Sequence, residues 1–197
     1  MLGRELAKAF ASYKSTLWAL EDLDITDSKK TMEKIVELSP NVVINAAAYT
    51  NVPEAEKNQD LANNINGYAV GYIANACQLI GAVLVHYSTD YVFDGKNKKG
   101  YREEDEGSPV NIYGASKYLG EQMLLLKESQ GAIKCPSFAN CPKVQDGMGC
   151  DETRMRCHIQ VVGTSSLSLG EAEGILPLRR SRSDCGPSTG VILNWMT

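Results

Sequence analysis

Three short runs of this chain are apolar along nearly their whole length, and they alternate with segments of helical period. The runs are residues 16–20 (TLWAL), residues 42–48 (VVINAAA), where β-branched residues give way to small ones, and residues 82–88 (AVLVHYS). A strand with one face in water alternates apolar and polar residues, whereas a continuous apolar run is covered on both faces. Between the runs, residues 3–13 place Leu6, Ala9, Phe10 and Tyr13 on one helical face. Asp27-Ser28 offers a cap for a second helix with Met32, Ile35, Val36 and Leu38 as apolar positions, stopped by Pro40. Residues 58–80 repeat Leu61, Ile65, Ala69, Tyr72, Ile73, Ala76 and Leu79 at helical spacing, and Gly81 ends the pattern. A polar loop over 90–111 leads into a last helix from about Ile112 to Glu128. The spacing is that of βαβ units, which predicts an α/β fold: a doubly wound, Rossmann-like parallel sheet.

Ligands of such sheets lie beyond the carboxyl ends of the strands. The informative positions are therefore 21–24, 46–51 and 88–91. The chain opens on a helix, and Gly3 reads as the last glycine of a strand-to-helix phosphate turn. The expectation is a sheet lacking its first strand, with an open central position that invites pairing with another chain.

Tyr113 and Lys117 stand four residues apart near the start of the last helix, on one face. An ammonium one turn from a phenol favours the phenolate and lowers a pKa that starts near ~10. Such a phenol can give its proton to a developing alkoxide, and the lysine can also bond a ribose hydroxyl. Alone, this spacing recurs by chance on helix surfaces. Ser88-Thr89-Asp90, directly after an apolar strand, adds a hydroxyl that can hold a substrate oxygen beside the tyrosine. Its plainer reading is a strand-ending turn.

Glu21 stands where a dinucleotide fold places a carboxylate for the adenosine ribose, although a solvated loop acid is an equal reading. Asp24 and Ile25 follow closely enough to flank an adenine. The small residues at 46–48 let a ligand approach the backbone, or simply pack the sheet. His86 reads as a packed strand histidine.

Composition bears on partners. The formal charge is −4 and charged residues make up 22% of the chain, which suggests neither a basic nucleic-acid face nor a basic membrane face. No apolar stretch reaches the ~18–20 residues of a membrane span, and no signal peptide is read, so a cytoplasmic protein is expected. Five of the six cysteines, Cys135, Cys141, Cys150, Cys157 and Cys185, follow residue 134. They form no C-x-x-C pair, and no metal site is expected from them or from His158.

The segments NAAAYTNVP (45–53), HYSTDYVFDG (86–95), YREED (101–105) and PVNIYGASKYLGE (109–121) together resemble the dTDP-4-dehydrorhamnose reductases, within the extended short-chain dehydrogenase/reductase group. The resemblance covers about residues 2–127. It implies an N-terminally truncated NAD(P)-binding Rossmann-like domain over 1–127, an impaired fragment of an enzyme that reduces the 4-keto group of dTDP-4-dehydro-L-rhamnose to dTDP-L-rhamnose with NADPH or NADH. It implies Tyr113 as general acid, Lys117 as its partner and ribose contact, Thr89 on the substrate oxygen and Asp90 in the sugar site. Asp24, Ile25, Ala48, Tyr49, Thr50 and Tyr87 would line the cofactor with Gly3 and Glu21, and a homodimer is open. Residues 128–197, rich in Cys, Ser, Gly and Arg, depart from the family. They read as an atypical tail, frame-shifted or disordered, in place of most of the substrate-binding domain. Two other readings stay in view. One is a non-catalytic NADP-binding subunit like the regulatory β subunit of methionine adenosyltransferase. The other is a related epimerase or dehydratase, although the dehydratases use an acid pair where Thr89 is followed by Asp90 and then Tyr91.

Overall fold

Among the described residues, five strands make one sheet in the order β1-β5-β2-β3-β4. The structure, a computed structural model, describes residues 2–98, 100–102, 105–129, 159–162 and 189–193. The elements are α1 (Leu2–Ala9), β1 (Lys14–Trp18), α2 (Ser28–Leu38), β2 (Val42–Asn45), α3 (Val52–Ala55), α4 (Gln59–Asn63), a π-helical turn (Asn64–Tyr68), α5 (Ala69–Ile80), β3 (Val83–Tyr87), a 3₁₀ turn (Asp90–Val92), α6 (Ile112–Ser129), β4 (Ile159–Val162) and β5 (Thr189–Leu193). This is the expected Rossmann-like α/β sheet with flanking helices. β1, β5, β2 and β3 run parallel, and β4 adds an antiparallel edge to β3.

The predicted signals account for most boundaries. Asp27 caps α2, its carboxylate accepting from the Lys30 N–H at 3.0 Å. Gly81 closes α5 with φ of 71°, a left-handed conformation that glycine adopts without strain. α1 and β1 are shorter or earlier than their patterns suggest, ending at Ala9 and Trp18. β1 also departs from the expectation of a strand covered on both faces. It lies at the edge of the sheet with Lys14, Ser15 and Leu17 exposed and Thr16 and Trp18 half-buried, because its apolar run is bordered, among the described residues, by one neighbouring strand. α3, which the helical periodicity did not predict, starts at Asn51, whose side chain accepts from Glu54 N–H at 3.2 Å, with Pro53 in its first turn.

Two departures shape the site. First, the sheet position between β1 and β2, expected to stand open, is filled from the far end of the chain. β5 pairs in parallel with both neighbours, Val191 opposite Thr16 and Val43, and Val191, Ile192 and Leu193 are buried there. Asn41 fixes its start: the Asn41 side chain accepts from Thr189 N–H at 2.9 Å, and Thr189 O accepts from Asn41 N–H at 2.8 Å. Three adjacent apolar residues suit a strand covered on both faces. Second, the helix expected over 58–80 is interrupted by the π turn. There α6 comes so close that a Cβ on Gly120 would lie 2.3 Å from the Asn66 carbonyl oxygen. A wide turn of this kind often marks a functional segment.

The core gathers Ile35, Val43, Ile65, Val70, Ile73, Leu84, Leu124, Val191 and Leu193 between sheet and helices. Cys77 is buried in it as a neutral thiol, burial pushing its pKa up to about 12. Glu103 and Glu104, the five later cysteines, His158 and the bulk of the expected tail lie outside the described residues.

Candidate active site

The carboxyl end of β3 meets the first turns of α6, and α6 side chains reach back to it: Lys117 to the Tyr87 carbonyl and Glu121 to Ser88. α6 starts where Asn111 caps it, its side chain accepting from Gly114 N–H at 2.7 Å, while Glu56 accepts from Ile112 N–H at 2.9 Å. A Cβ on Gly114 would lie 2.1 Å from the Tyr91 carbonyl oxygen. Only glycine lets the helix start this close to the 3₁₀ turn. The Tyr91 and Tyr113 rings then meet edge to face, centroids 5.6 Å apart at 75°.

Lys117, one turn beyond Tyr113, is 3% exposed. Its Nζ donates to the Tyr87 carbonyl at 2.6 Å and lies 3.5 Å from His86 Nε2. Burial depresses its pKa to about 8, against the raising effect of Glu121. Glu121 is one further turn along α6 and accepts a short hydrogen bond from Ser88 Oγ. Burial raises its own pKa, while Ser88 and Lys117 hold it down. Thr89 caps the 3₁₀ turn: its Oγ1 accepts from Tyr91 N–H at 3.3 Å and lies 3.2 Å from Asp90 Oδ1.

A second network holds this corner from behind. Asn66, buried in the π turn, accepts from Tyr49 N–H at 2.8 Å and donates to Tyr49 O at 3.0 Å. It also donates to Ser116 Oγ at 2.9 Å, and Ser116 Oγ donates to the Tyr113 carbonyl at 2.7 Å. The loop after β2, the π turn and the Tyr113 backbone are thus one hydrogen-bonded unit.

The structure therefore brings Tyr87, Thr89, Asp90, Tyr113 and Lys117 together around β3 and α6. Tyr49 is buried behind them with its backbone spent on Asn66, and Ala48 and Thr50 flank it at the end of β2. The other expected residues lie across the sheet. Glu21 is exposed beyond the end of β1. Asp24, also exposed, accepts from the Thr26 N–H at 2.9 Å and its hydroxyl at 2.7 Å. Ile25 is 1% exposed and sits in the core. Gly3 is buried in the first turn of α1, which packs on β1 and β5. Sequence reading gave no role to Asn45, Asn66, Ser116 or Glu121. Asn66 carried a faint signal: an asparagine amid apolar helical positions needs a buried partner.

A parallel sheet whose strand end carries a hydroxyl, facing a helix with tyrosine and a buried lysine one turn apart, defines a Rossmann-like domain of the short-chain dehydrogenase/reductase type. Within that class the chain belongs to the RmlD substrate binding domain family, whose family model matches residues 1–134. It is 46% identical over 121 residues to a dTDP-4-dehydrorhamnose reductase of Burkholderia thailandensis, covering 61% of this chain and 41% of that protein. Among solved structures it resembles a dTDP-4-dehydrorhamnose reductase from Bacillus anthracis in complex with NADP, at 44% identity and a TM-score of 0.60, covering 62% of this chain and 45% of that one. A Clostridium acetobutylicum ortholog gives 39% identity and a TM-score of 0.61, covering 64% and 45%. The chain spans less than half the length of these relatives.

Proposed function

We propose that this chain carries the dinucleotide-binding and proton-donating part of an NAD(P)H-dependent reductase that converts dTDP-4-dehydro-L-rhamnose to dTDP-L-rhamnose. The observation that carries the reading is Lys117, buried and bonded to the Tyr87 carbonyl one turn from Tyr113. Burying an amine is costly without a task or partner, and a cation here steadies a phenolate forming on Tyr113.

The residues fit a dinucleotide. Glu21 and Asp24 lie beyond the end of β1, and Thr89 and Tyr113 lie beyond β3. Two strands separate them, a span of about 14 Å at ordinary strand spacing, which suits a ligand with two lobes. The small Ala46 and Ala48 lie in between, at the end of β2. α1 leads through residues 10–13 into β1 and so runs back along the sheet, turning Gly3 toward the same edge. Glu21 would accept from the adenosine ribose, and Asp24 would flank the adenine while bracing its loop through Thr26. Tyr49 and Ile25 would back the cleft from the core, Thr50 and Tyr87 would border it, and Lys117 would reach the second ribose.

Bound NADPH or NADH supplies the hydride. Thr89 and Asp90 orient the sugar carbonyl, and Tyr113 gives its proton to the oxygen as charge develops there, a contribution of about 10²–10⁴-fold in rate. Residues 1–127 form the binding unit in this reading, with β5 lent by the remainder. The relatives' names carry the sugar nucleotide as substrate.

The test is binding of NADPH and NADH to the full chain by calorimetry, followed by turnover of dTDP-4-dehydro-L-rhamnose. Binding and turnover that Tyr113→Phe abolishes, with binding retained, support the reading. Full turnover by Tyr113→Phe, or no binding of either nucleotide, overturns it.

A further inference from the structure

His86 is fully buried on β3 between two side chains. Its Nδ1 lies 3.2 Å from Asn45 Nδ2, across the β2–β3 register where the two residues face each other. Its Nε2 lies 3.5 Å from Lys117 Nζ. A neutral imidazole has one N–H and one acceptor nitrogen, and the hydrogen bond at one nitrogen decides the state of the other.

The amide of Asn45 is not free to turn. Its Oδ1 accepts from Ala47 N–H at 3.1 Å, two residues on. That bond points the amide NH₂ at His86, so Nδ1 must accept and Nε2 must carry the hydrogen. The Nε2–H then faces Lys117. An N–H dipole aimed at an ammonium repels it, and the same dipole can donate to a neutral amine.

We propose that Asn45 and His86 form a positioning pair which presents the Nε2–H of His86 to Lys117 and thereby favours release of the lysine proton. Asn45 selects the tautomer, and the tautomer sets the sign of the field at Nζ. Burial acts in the same direction on both groups: His86 is held well below its ordinary pKa, by desolvation first and by Lys117 second, so it stays neutral.

The other charges around Lys117 are few. Glu121, on its own helix, opposes the histidine and keeps the ammonium charged. Tyr113 is one turn back. The elements packed on α6 also bring Glu54, Asp60, Tyr68, Tyr72, Cys77, Asp90 and Tyr91. Asp60, Tyr68, Asp90 and Tyr91 lie open to solvent, which screens them, Glu54 is paired with Lys57 at 3.0 Å, Tyr72 packs against the core, and Cys77 is a neutral thiol. Asn45, Asn66 and Ser116 carry no charge. The lysine is thus poised between a carboxylate at one turn's distance and an imidazole N–H on the neighbouring strand.

The pair's catalytic consequence rests on the function proposed above, since it matters only if Lys117 serves Tyr113. Its tautomer does not rest on that reading and is measured without turnover. The chain has two histidines, so His158→Gln leaves His86 as the only imidazole. In that ¹⁵N-labelled full chain, the ring couplings should show a bare Nδ1 and a protonated Nε2, unchanged between pH 6 and 8. An Nδ1–H tautomer or an imidazolium in that range overturns the proposal.

Asn45→Asp should then reverse the tautomer, because a carboxylate accepts from Nδ1–H. The midpoint at which Lys117 loses its proton, followed through the ¹³Cε signal that Lys117→Arg removes, should rise at least about tenfold in hydroxide concentration. Asn45→Ala supplies the arm without a new charge: both tautomers should appear and the midpoint should rise less. A tautomer indifferent to the loss of Asn45, or a reversed tautomer with an unmoved lysine midpoint, overturns the coupling.

Discussion

Lys117 Nζ donates to the Tyr87 carbonyl at 2.6 Å, so the buried amine of α6 is anchored on the last residue of β3. This one bond joins the helix that carries the phenol to the strand that carries the threonine. It takes the place of water for a group that burial strips of solvent.

The anchored amine should leave a mark on stability. Its folded pKa of about 8 lies below the ordinary 10.5. Between those values the unfolded chain holds the extra proton, so stability contributed by this group rises with pH from about 8 to about 10.5 and is flat below. Urea unfolding across this range, wild type against Lys117→Met, should show the wild type gaining up to about 3 kcal/mol on the variant. Cys77 opposes this in both proteins, because the unfolded thiol ionises first, and it cancels in the difference. A difference that stays level with pH would mean the lysine is not desolvated.

Glu121 keeps the lysine charged, so Glu121→Gln should lower the Lys117 midpoint further. The rise in stability should then begin below pH 8, and any turnover in the proposed reaction should fall off at lower pH than in the wild type. Ser88→Ala, which removes the donor to that carboxylate, should raise the Glu121 pKa and leave the lysine more charged near neutrality than Glu121→Gln does.

Asn66 makes three side-chain hydrogen bonds, two of them to the Tyr49 backbone and one to Ser116. Asn66→Ala leaves a buried N–H and a buried carbonyl at Tyr49 without partners, at about 1–3 kcal/mol each. A loss of about 2–5 kcal/mol in the urea unfolding free energy is expected. Asn66→Asp should recover the bond from Tyr49 N–H and lose both donations.

Gly114→Ala puts a methyl carbon 2.1 Å from the Tyr91 carbonyl, and backbone cannot step aside as a side-chain tip can. About 1–3 kcal/mol of destabilisation is expected, with α6 displaced from the 3₁₀ turn. Tyrosine fluorescence should report loss of the Tyr91–Tyr113 contact.

Much of this site is readable from sequence because its logic is local. The spacing of Tyr113 and Lys117, the Asp27 cap, the Gly81 stop and the apolar runs of β2 and β3 each depend on neighbours within a turn or a strand. The similar run at 16–20 lies partly exposed at the sheet edge, because burial depends on what packs against it. What escaped is set by approach between distant segments. The π turn at 64–68 follows the close seat of Gly120 against Asn66, more than fifty residues away. His86 reads correctly as a packed strand histidine, yet its contact with Lys117 depends on strand and helix meeting. β5 is the extreme case: Thr189–Leu193 fills a gap between strands 14–18 and 42–45, and no periodicity links such separated runs.

The most direct test of the account is the transfer of hydride. The full chain, given NADPH deuterated at its transferring carbon and dTDP-4-dehydro-L-rhamnose, should place deuterium at C4 of the sugar, read by mass spectrometry. Tyr113→Phe should bind the nucleotide as the wild type does and transfer about 10²–10⁴-fold more slowly. Deuterium transfer at the wild-type rate by Tyr113→Phe would contradict the role given to the phenol. Nucleotide bound without any transfer by the wild type would leave this chain a binding module.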